Sequence, residues 1–239
     1  MTLRNNFLLI LLLLMLSGCM YPQEQLSQNE LTNDAQLNMV QQAINQYQER
    51  NEGRLPIITK DQDTPIYQKY LIDFTLLKQQ GLIQSIPGSA FENGGFYQYV
   101  LIDVETEPTV KVIDLRVTDQ LREVQQKLNF YRNEHTYPPF GEKEGEGGVY
   151  TLNYEALNLD KPPHIESPYS GNNLPILINT DGELIIDYRL DLYPLLEETD
   201  RTFQQDEDIR SLLTDQYPIV PAYSAPYYVK NNEPVFAIQ

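Results

Sequence analysis

The chain repeats itself, and the repeat limits what it can fold into. Set 84 positions apart, Val40-Gln41-Gln42-Ala43-Ile44-Asn45-Gln46-Tyr47 and Val124-Gln125-Gln126-Lys127-Leu128-Asn129-Phe130-Tyr131 agree at five of eight positions. Around them, Leu37, Val40, Ile44 and Tyr47, and likewise Leu121, Val124, Leu128 and Tyr131, step by three or four residues. That spacing puts each set on one face of a helix, and a helix with one apolar face needs a surface to bury it.

The correspondence continues downstream. Each helix runs into a polar turn and a proline, through Gly53-Arg54-Leu55-Pro56 in the first copy and His135-Thr136-Tyr137-Pro138 in the second. Proline disfavours helix in the residue before it, and glycine suits a helix end. Residues 70–77 then resemble 150–157, and the loops 87–95 and 167–173 share their Gly, Ser and Asn chemistry. Each unit closes on a pair of β-rich runs, 96–104 with 109–115 and 174–180 with 183–188. Asp181-Gly182 predicts a two-residue type I′ turn in the second pair. The unbroken apolar runs at 176–178 and 184–186 predict strands covered on both faces. The fold class expected is α+β: a tandem duplication with units at 33–116 and 117–190, each a helix on a small antiparallel sheet. Residues 191–239 follow as a carboxy-terminal helix and a Tyr/Pro-rich segment packed on the second unit.

The order of long helix, Asn-x-Tyr near its end, polar turn to Pro, Ser167-Pro168-Tyr169-Ser170-Gly171-Asn172 loop and Asp-Gly hairpin resembles the globular part of pseudopilins and type IV pilins. That likeness implies a helix laid against a three- or four-stranded antiparallel sheet. It departs where a filament is built, because no prepilin-peptidase site and no long apolar amino-terminal helix are present.

The amino terminus reads as an address. Arg4 precedes a ten-residue apolar run from Phe7 to Leu16, and Ser17-Gly18-Cys19 follows. Such a run rises only about 15 Å as a helix, half of a ~30 Å hydrocarbon core, so a cleaved secretory signal is expected over residues 1–18. Leu16-Ser17-Gly18-Cys19 resembles the lipobox of bacterial lipoproteins, which implies cleavage between Gly18 and Cys19 and a diacylglyceryl group on the Cys19 thiol, with or without an N-acyl chain on its freed amine. Cys19 is the one cysteine, so no disulfide partner exists for it, and acylation gives the lone thiol a use. Two buried acyl chains hold where one gives only reversible binding. Residues 19–32, polar and rich in Gln and Asn, are expected to form a flexible stalk.

Across the whole chain, Gly18-Cys19-Met20-Tyr21-Pro22, Thr64-Pro65-Ile66-Tyr67-Gln68-Lys69-Tyr70, Tyr97-Gln98-Tyr99-Val100-Leu101-Ile102-Asp103-Val104 and Tyr137-Pro138-Pro139 resemble the YphF-like lipoproteins of bacilli. The resemblance implies the outer face of a monoderm cell membrane. It implies no particular chemistry.

A net charge of −17 repels phosphate backbones and anionic headgroups, which argues against nucleic acid as a partner. With two histidines, His135 and His164, and no cysteine beyond Cys19, the usual nitrogen–sulfur zinc sites are not available, and no metal is expected. No Gly-x-Ser-x-Gly, Ser-x-x-Lys or His-Glu-x-x-His motif occurs, and the Gly-rich 141–148 is acidic and lacks a phosphate loop's Gly-Lys-Ser/Thr ending. It reads as a surface loop. The acidic runs at 197–200 and 206–208 lack the alternation and central Gly of a calcium loop, and the second is expected to begin or line a helix ending near Leu213. No catalytic residue is therefore assigned.

Tyr217, Tyr223, Tyr227 and Tyr228, interleaved with prolines, read either as a tail closing the second unit or as an interaction patch, since tyrosines are enriched at interfaces. The expected role is a non-catalytic interaction or envelope-assembly protein, held to the bilayer through Cys19 and facing another envelope protein or the wall. The alternatives are a solute-binding lipoprotein of an importer and a hydrolase without a recognisable motif.

Overall fold

The computed structural model describes residues 24–145 and 147–237, with side chains from Asp34 on. Gly18, Cys19 and the signal segment lie outside them. The first half consists of α1 (Glu24–Arg50), β1 (Ile57–Ile58), α2 (Ile66–Lys69), β2 (Leu71–Ile72), α3 (Phe74–Gln79), β3 (Tyr97–Ile102) and β4 (Thr109–Asp114). The second consists of α4 (Leu115–Glu134), β5 (Phe140–Glu144), β6 (Val149–Leu152), β7 (His164–Glu166), β8 (Asn173–Asn179) and β9 (Leu184–Ile186). α5 (Arg189–Glu198), α6 (Ser211–Gln216), β10 (Tyr227–Lys230) and β11 (Glu233–Phe236) complete the chain. The fold class is α+β, with every pairing between named strands antiparallel.

Helix α1 starts at Glu24, inside the segment expected as a stalk. The stretch from Glu24 to Thr32 is polar but free of Gly and Pro, so nothing in it stops a helix. Val40–Gln239 packs as one unit; the described part of the unit before it, Met1–Met39, is helical.

Both sheets share one strand order. The first runs β1-β2-β3-β4; the second runs β5-β6-β8-β9, with β7 added along residues 173–175 of β8. The agreement reaches single hydrogen bonds. Gln41 Nε2 donates to Asn45 Oδ1 at 3.0 Å, and Gln125 Nε2 to Asn129 Oδ1 at 2.9 Å. Asp73 N donates to Pro56 O and Asn153 N to Pro139 O, both at 2.8 Å. Asp73 Oδ1 then accepts from Leu76 N at 3.0 Å and Asn153 Oδ1 from Ala156 N at 3.2 Å, so one carboxylate and one amide satisfy the same orphan donor of a turn start. In each half the predicted helical stripe is buried, with Val40, Ile44 and Tyr47 on one side and Leu121, Val124 and Leu128 on the other.

A second device recurs three times. Asp114-Leu115-Arg116, Asp187-Tyr188-Arg189 and Asp208-Ile209-Arg210 each stand at or just before a helix start. In each, the aspartate accepts from the arginine's backbone N–H at 3.0–3.1 Å while the guanidinium folds back on both carboxylate oxygens. One acidic group thus caps the backbone and holds the cation beside it. The three differ in exposure: the Arg116, Arg189 and Arg210 side chains are 58%, 31% and 5% accessible.

The strands at 176–178 and 184–186 are buried throughout, as their continuous apolar runs predict. The turn between them differs from the type I′ expectation. Gly182 has positive φ but Asp181 does not, and Gly182 N donates to Asn179 O at 3.0 Å, which makes a type I turn followed by a left-handed glycine. The two-residue turn with both central φ angles positive lies at Asn231-Asn232, between β10 and β11.

The carboxy-terminal segment reaches both sheets rather than the second unit alone. Val112 N donates to Pro218 O at 3.0 Å and Val220 N to Val112 O at 2.9 Å, so residues around Ile219 continue the first sheet at its β4 edge in parallel. Lys111 of β4 donates to Thr214 O at 2.6 Å and Tyr217 O at 3.0 Å. A few residues on, Ile186 N of β9 donates to Tyr223 O at 2.7 Å. Val220 and Ala222 fill the first half's core beside Tyr67, Leu71 and Val100, whereas Ala225, Tyr227 and Phe236 fill the second's. The strap joins two sheets that would otherwise each present an open edge.

Candidate functional site: a strapped polar cleft

A cleft of about 750 Å³ opens between the loop leading into α2, the end of α4, the β8–β9 turn and the strap, within Val40–Gln239. Arg210 lies on it. Its guanidinium is held by Asp208, donates to Ser224 O and Oγ at 3.0 Å, and sits 4.9 Å from the centre of the Tyr67 ring. With 5% of its side chain accessible, Arg210 ties the strap to the first half. Burial pushes the Tyr67 phenol up to about 12, with Arg210 pulling against it.

Gly182 closes the turn side of the cleft. Its φ is +80°, and a Cβ there would stand 3.0 Å from Pro138 Cγ and 3.2 Å from Arg132 Nη1. Only glycine lets the turn lie this close to the last turn of α4.

The polar lining falls into two groups. Glu183 accepts from Asn179, Gln125 donates to Asn129, and Arg210 is held as described. Asp63, Gln68, Arg132 and Asp181 also line the cleft, and among the described residues their side chains have no hydrogen bond or ion pair. Gln68 is half-buried and Asp63, Arg132 and Asp181 are exposed, so one cation, two carboxylates and one amide around one opening are accessible to a polar ligand.

The expected tyrosine patch is not one surface. Tyr227 is fully buried; its hydroxyl accepts from Tyr188 N at 2.9 Å and donates to Ile186 O at 3.2 Å, so it is a core group and not a contact residue. Tyr217 is half-buried against the Tyr169 ring at 5.1 Å, Tyr223 lines the cleft, and Tyr228 lines a separate recess with Arg189 and Phe236. The tyrosines are close in the chain, but the strap turns between them.

Other residues singled out in the sequence are engaged locally. His135 stacks on Tyr131 and bonds its backbone carbonyl at 3.0 Å; His164 lies 3.5 Å from Pro162 O. Of the acidic runs, Glu207 pairs with Arg201 and Asp208 holds Arg210; the helix that follows is α6, which begins after the acidic run and extends past Leu213 to Gln216. Residues 141–144 belong to β5 rather than to a free loop. Among the described residues no three His, Cys, Asp or Glu side chains converge as metal ligands, and no helix is long and apolar enough to cross a membrane.

Among the described residues, Asp191 is the one buried carboxylate outside the Asp-x-Arg clasps. It accepts from Ser167 Oγ at 2.8 Å and Ser170 Oγ at 2.5 Å, fixing the 167–173 loop to α5. Burial holds its carboxyl above the usual value, against the opposing pull of the two hydroxyls. The serines in turn accept from Tyr169 N and Asn172 N, so the group is a closed hydrogen-bonded network.

No curated protein and no solved structure matches the chain. Residues 33–114, which take in the first sheet and the helix before it, match the family model described as the YphF family N-terminal domain, and this part of the chain is similar to that domain.

Proposed function

We propose that the protein is a non-catalytic binding protein of the cell envelope, tethered through an acylated Cys19 on the outer face of the membrane, and that the strapped cleft is where it docks a polar segment of an envelope partner. The observation that carries this reading is the cleft itself, with the accessible polar side chains of Asp63, Gln68, Arg132 and Asp181 around one opening. The lipobox-like Leu16-Ser17-Gly18-Cys19 supports the location. A pseudopilin-like helix on a sheet would suit the same role, since it presents loops from a rigid base.

A solute carried for an importer is the second reading, favoured by a cleft volume within the small-ligand range of roughly 300–1,000 Å³. The strap weighs against it: bonds from one short segment to β4 and to β9 tie the two sheets together, whereas closure over a solute uses a hinge. A photo-crosslinking residue placed at Gln68 or Asp181 in intact cells should capture one protein, and Arg132→Glu should abolish the product. Strong thermal stabilisation by a small solute, with no crosslinked protein, would replace the first reading by the second. Cys19→Ala should release the protein from the membrane fraction; unchanged detergent partitioning of that variant would remove the tether.

A further inference from the structure

The two halves differ at one matched station. In the first, Asn51 Nδ2 donates to Tyr47 O at 2.8 Å and to Gln80 Oε1 at 3.2 Å, so the end of α3 covers the end of α1 and Tyr47 is buried. In the second, 84 positions on, His135 bonds Tyr131 O at 3.0 Å in the same way, but the counterpart of α3 is a single turn at 154–157. Among the described residues no side chain takes the place of Gln80; the turn is tied to α4 farther back, where Lys127 Nζ donates to Asn158 O at 3.3 Å. A groove of about 360 Å³ remains, lined by Lys127, Phe130, Tyr131, Glu134, His135 and Asn158. The exposed His135 ring lies flat on Tyr131, centroids 3.9 Å apart and planes 4° off parallel, and Phe130 beside it is 74% exposed where the first half has Gln46.

From this geometry we propose that the groove is a second binding site, independent of the cleft, and that it takes a neutral sugar ring of a glycan chain. Flat exposed rings with a polar rim bind ligands that offer a stacking face and hydrogen-bonding edges, which means sugars or nucleobases. A net charge of −17 opposes the phosphate backbone that accompanies bases, and the rim pairs a cation, Lys127, with an anion, Glu134. A neutral ring is the ligand left.

The chain has no tryptophan, so Phe130→Trp installs a single indole reporter in the groove. Titrating the full chain carrying that change with chitotriose should give a saturable change in indole emission, and calorimetry on the unaltered chain should give a matching Kd. Adding His135→Ala should weaken binding by about tenfold, the loss of one stacking contact of ~1–3 kcal/mol, while Gln46→Ala at the matched site of the first half should leave it unchanged. No saturable signal with either chitotriose or maltotriose, an equal response to a single-stranded oligonucleotide, or full affinity in the His135→Ala variant would each overturn the proposal.

Discussion

Gln41 and Gln125 occupy the same place in the two helices and make the same bond to an asparagine one turn on, yet they do different work. Gln41 also donates to Pro108 O at 2.9 Å and accepts from Val110 N at 2.7 Å, pinning the start of β4 to α1. Gln125 makes no such link and lines the cleft. The cause lies at the hairpin tips. The longer first loop, through Glu105-Thr106-Glu107-Pro108, reaches the helix; the short second turn lays Gly182 against Arg132 instead. A repeated scaffold thus yields a closed joint in one half and an opening in the other, through a few residues of loop.

The largest effect that can break this comparison is at the clasps. Asp208→Ala leaves the nearly inaccessible Arg210 without its carboxylate, and should cost about 3–5 kcal/mol in denaturant unfolding. Asp114→Ala, beside an arginine that is 58% exposed, should cost about 0.5–2 kcal/mol, the loss of a helix cap. Equal losses would show that the clasps act only as caps. Next in size, Gln41→Ala should lose about 1 kcal/mol while Gln125→Ala stays within ~0.5 kcal/mol of the parent, read from urea midpoints; a reversed order would mean that the bonds to the β4 start contribute nothing. The smallest effect is on pH dependence. The folded value of Asp191 lies above its unfolded one, so its contribution is fully present below the ordinary carboxylate range and declines as pH rises through the raised value. Asp191→Asn should flatten the stability profile over that window, and an unaltered slope would assign the pH dependence to other groups.

Much of the scaffold was readable because it rests on periodicity. The stripes at Val40, Ile44 and Tyr47 and at Leu121, Val124 and Leu128 are buried as expected, and the four main β-runs form the two hairpins. Three things were hidden. Helix α5 contains Pro194, which argues against a helix when read alone, while its start is set by the Asp187–Arg189 clasp, a local side-chain geometry that hydrophobic periodicity does not reveal. The Asn231-Asn232 turn carried a local signal, since asparagine tolerates positive φ, but the Tyr/Pro run before it reads as irregular. The cleft was the least legible part. Its four free side chains come from separate stretches of chain, and a polar residue without a partner looks in sequence like any solvated one. Of these, Asp181 stands in a sequence signal for a turn, and for a turn type that it does not adopt.

The strap has a bearing on the order in which the molecule can be completed. Lys111 waits for acceptors 103 and 106 positions later, and the outer edge of β4 stays bare until residues 218–220 exist. During synthesis the first sheet therefore emerges unfinished, with its sticky margin unprotected, and residues 218–220 seal it only later. A chain cut short before that stretch would be a candidate for clumping and degradation rather than a smaller working protein.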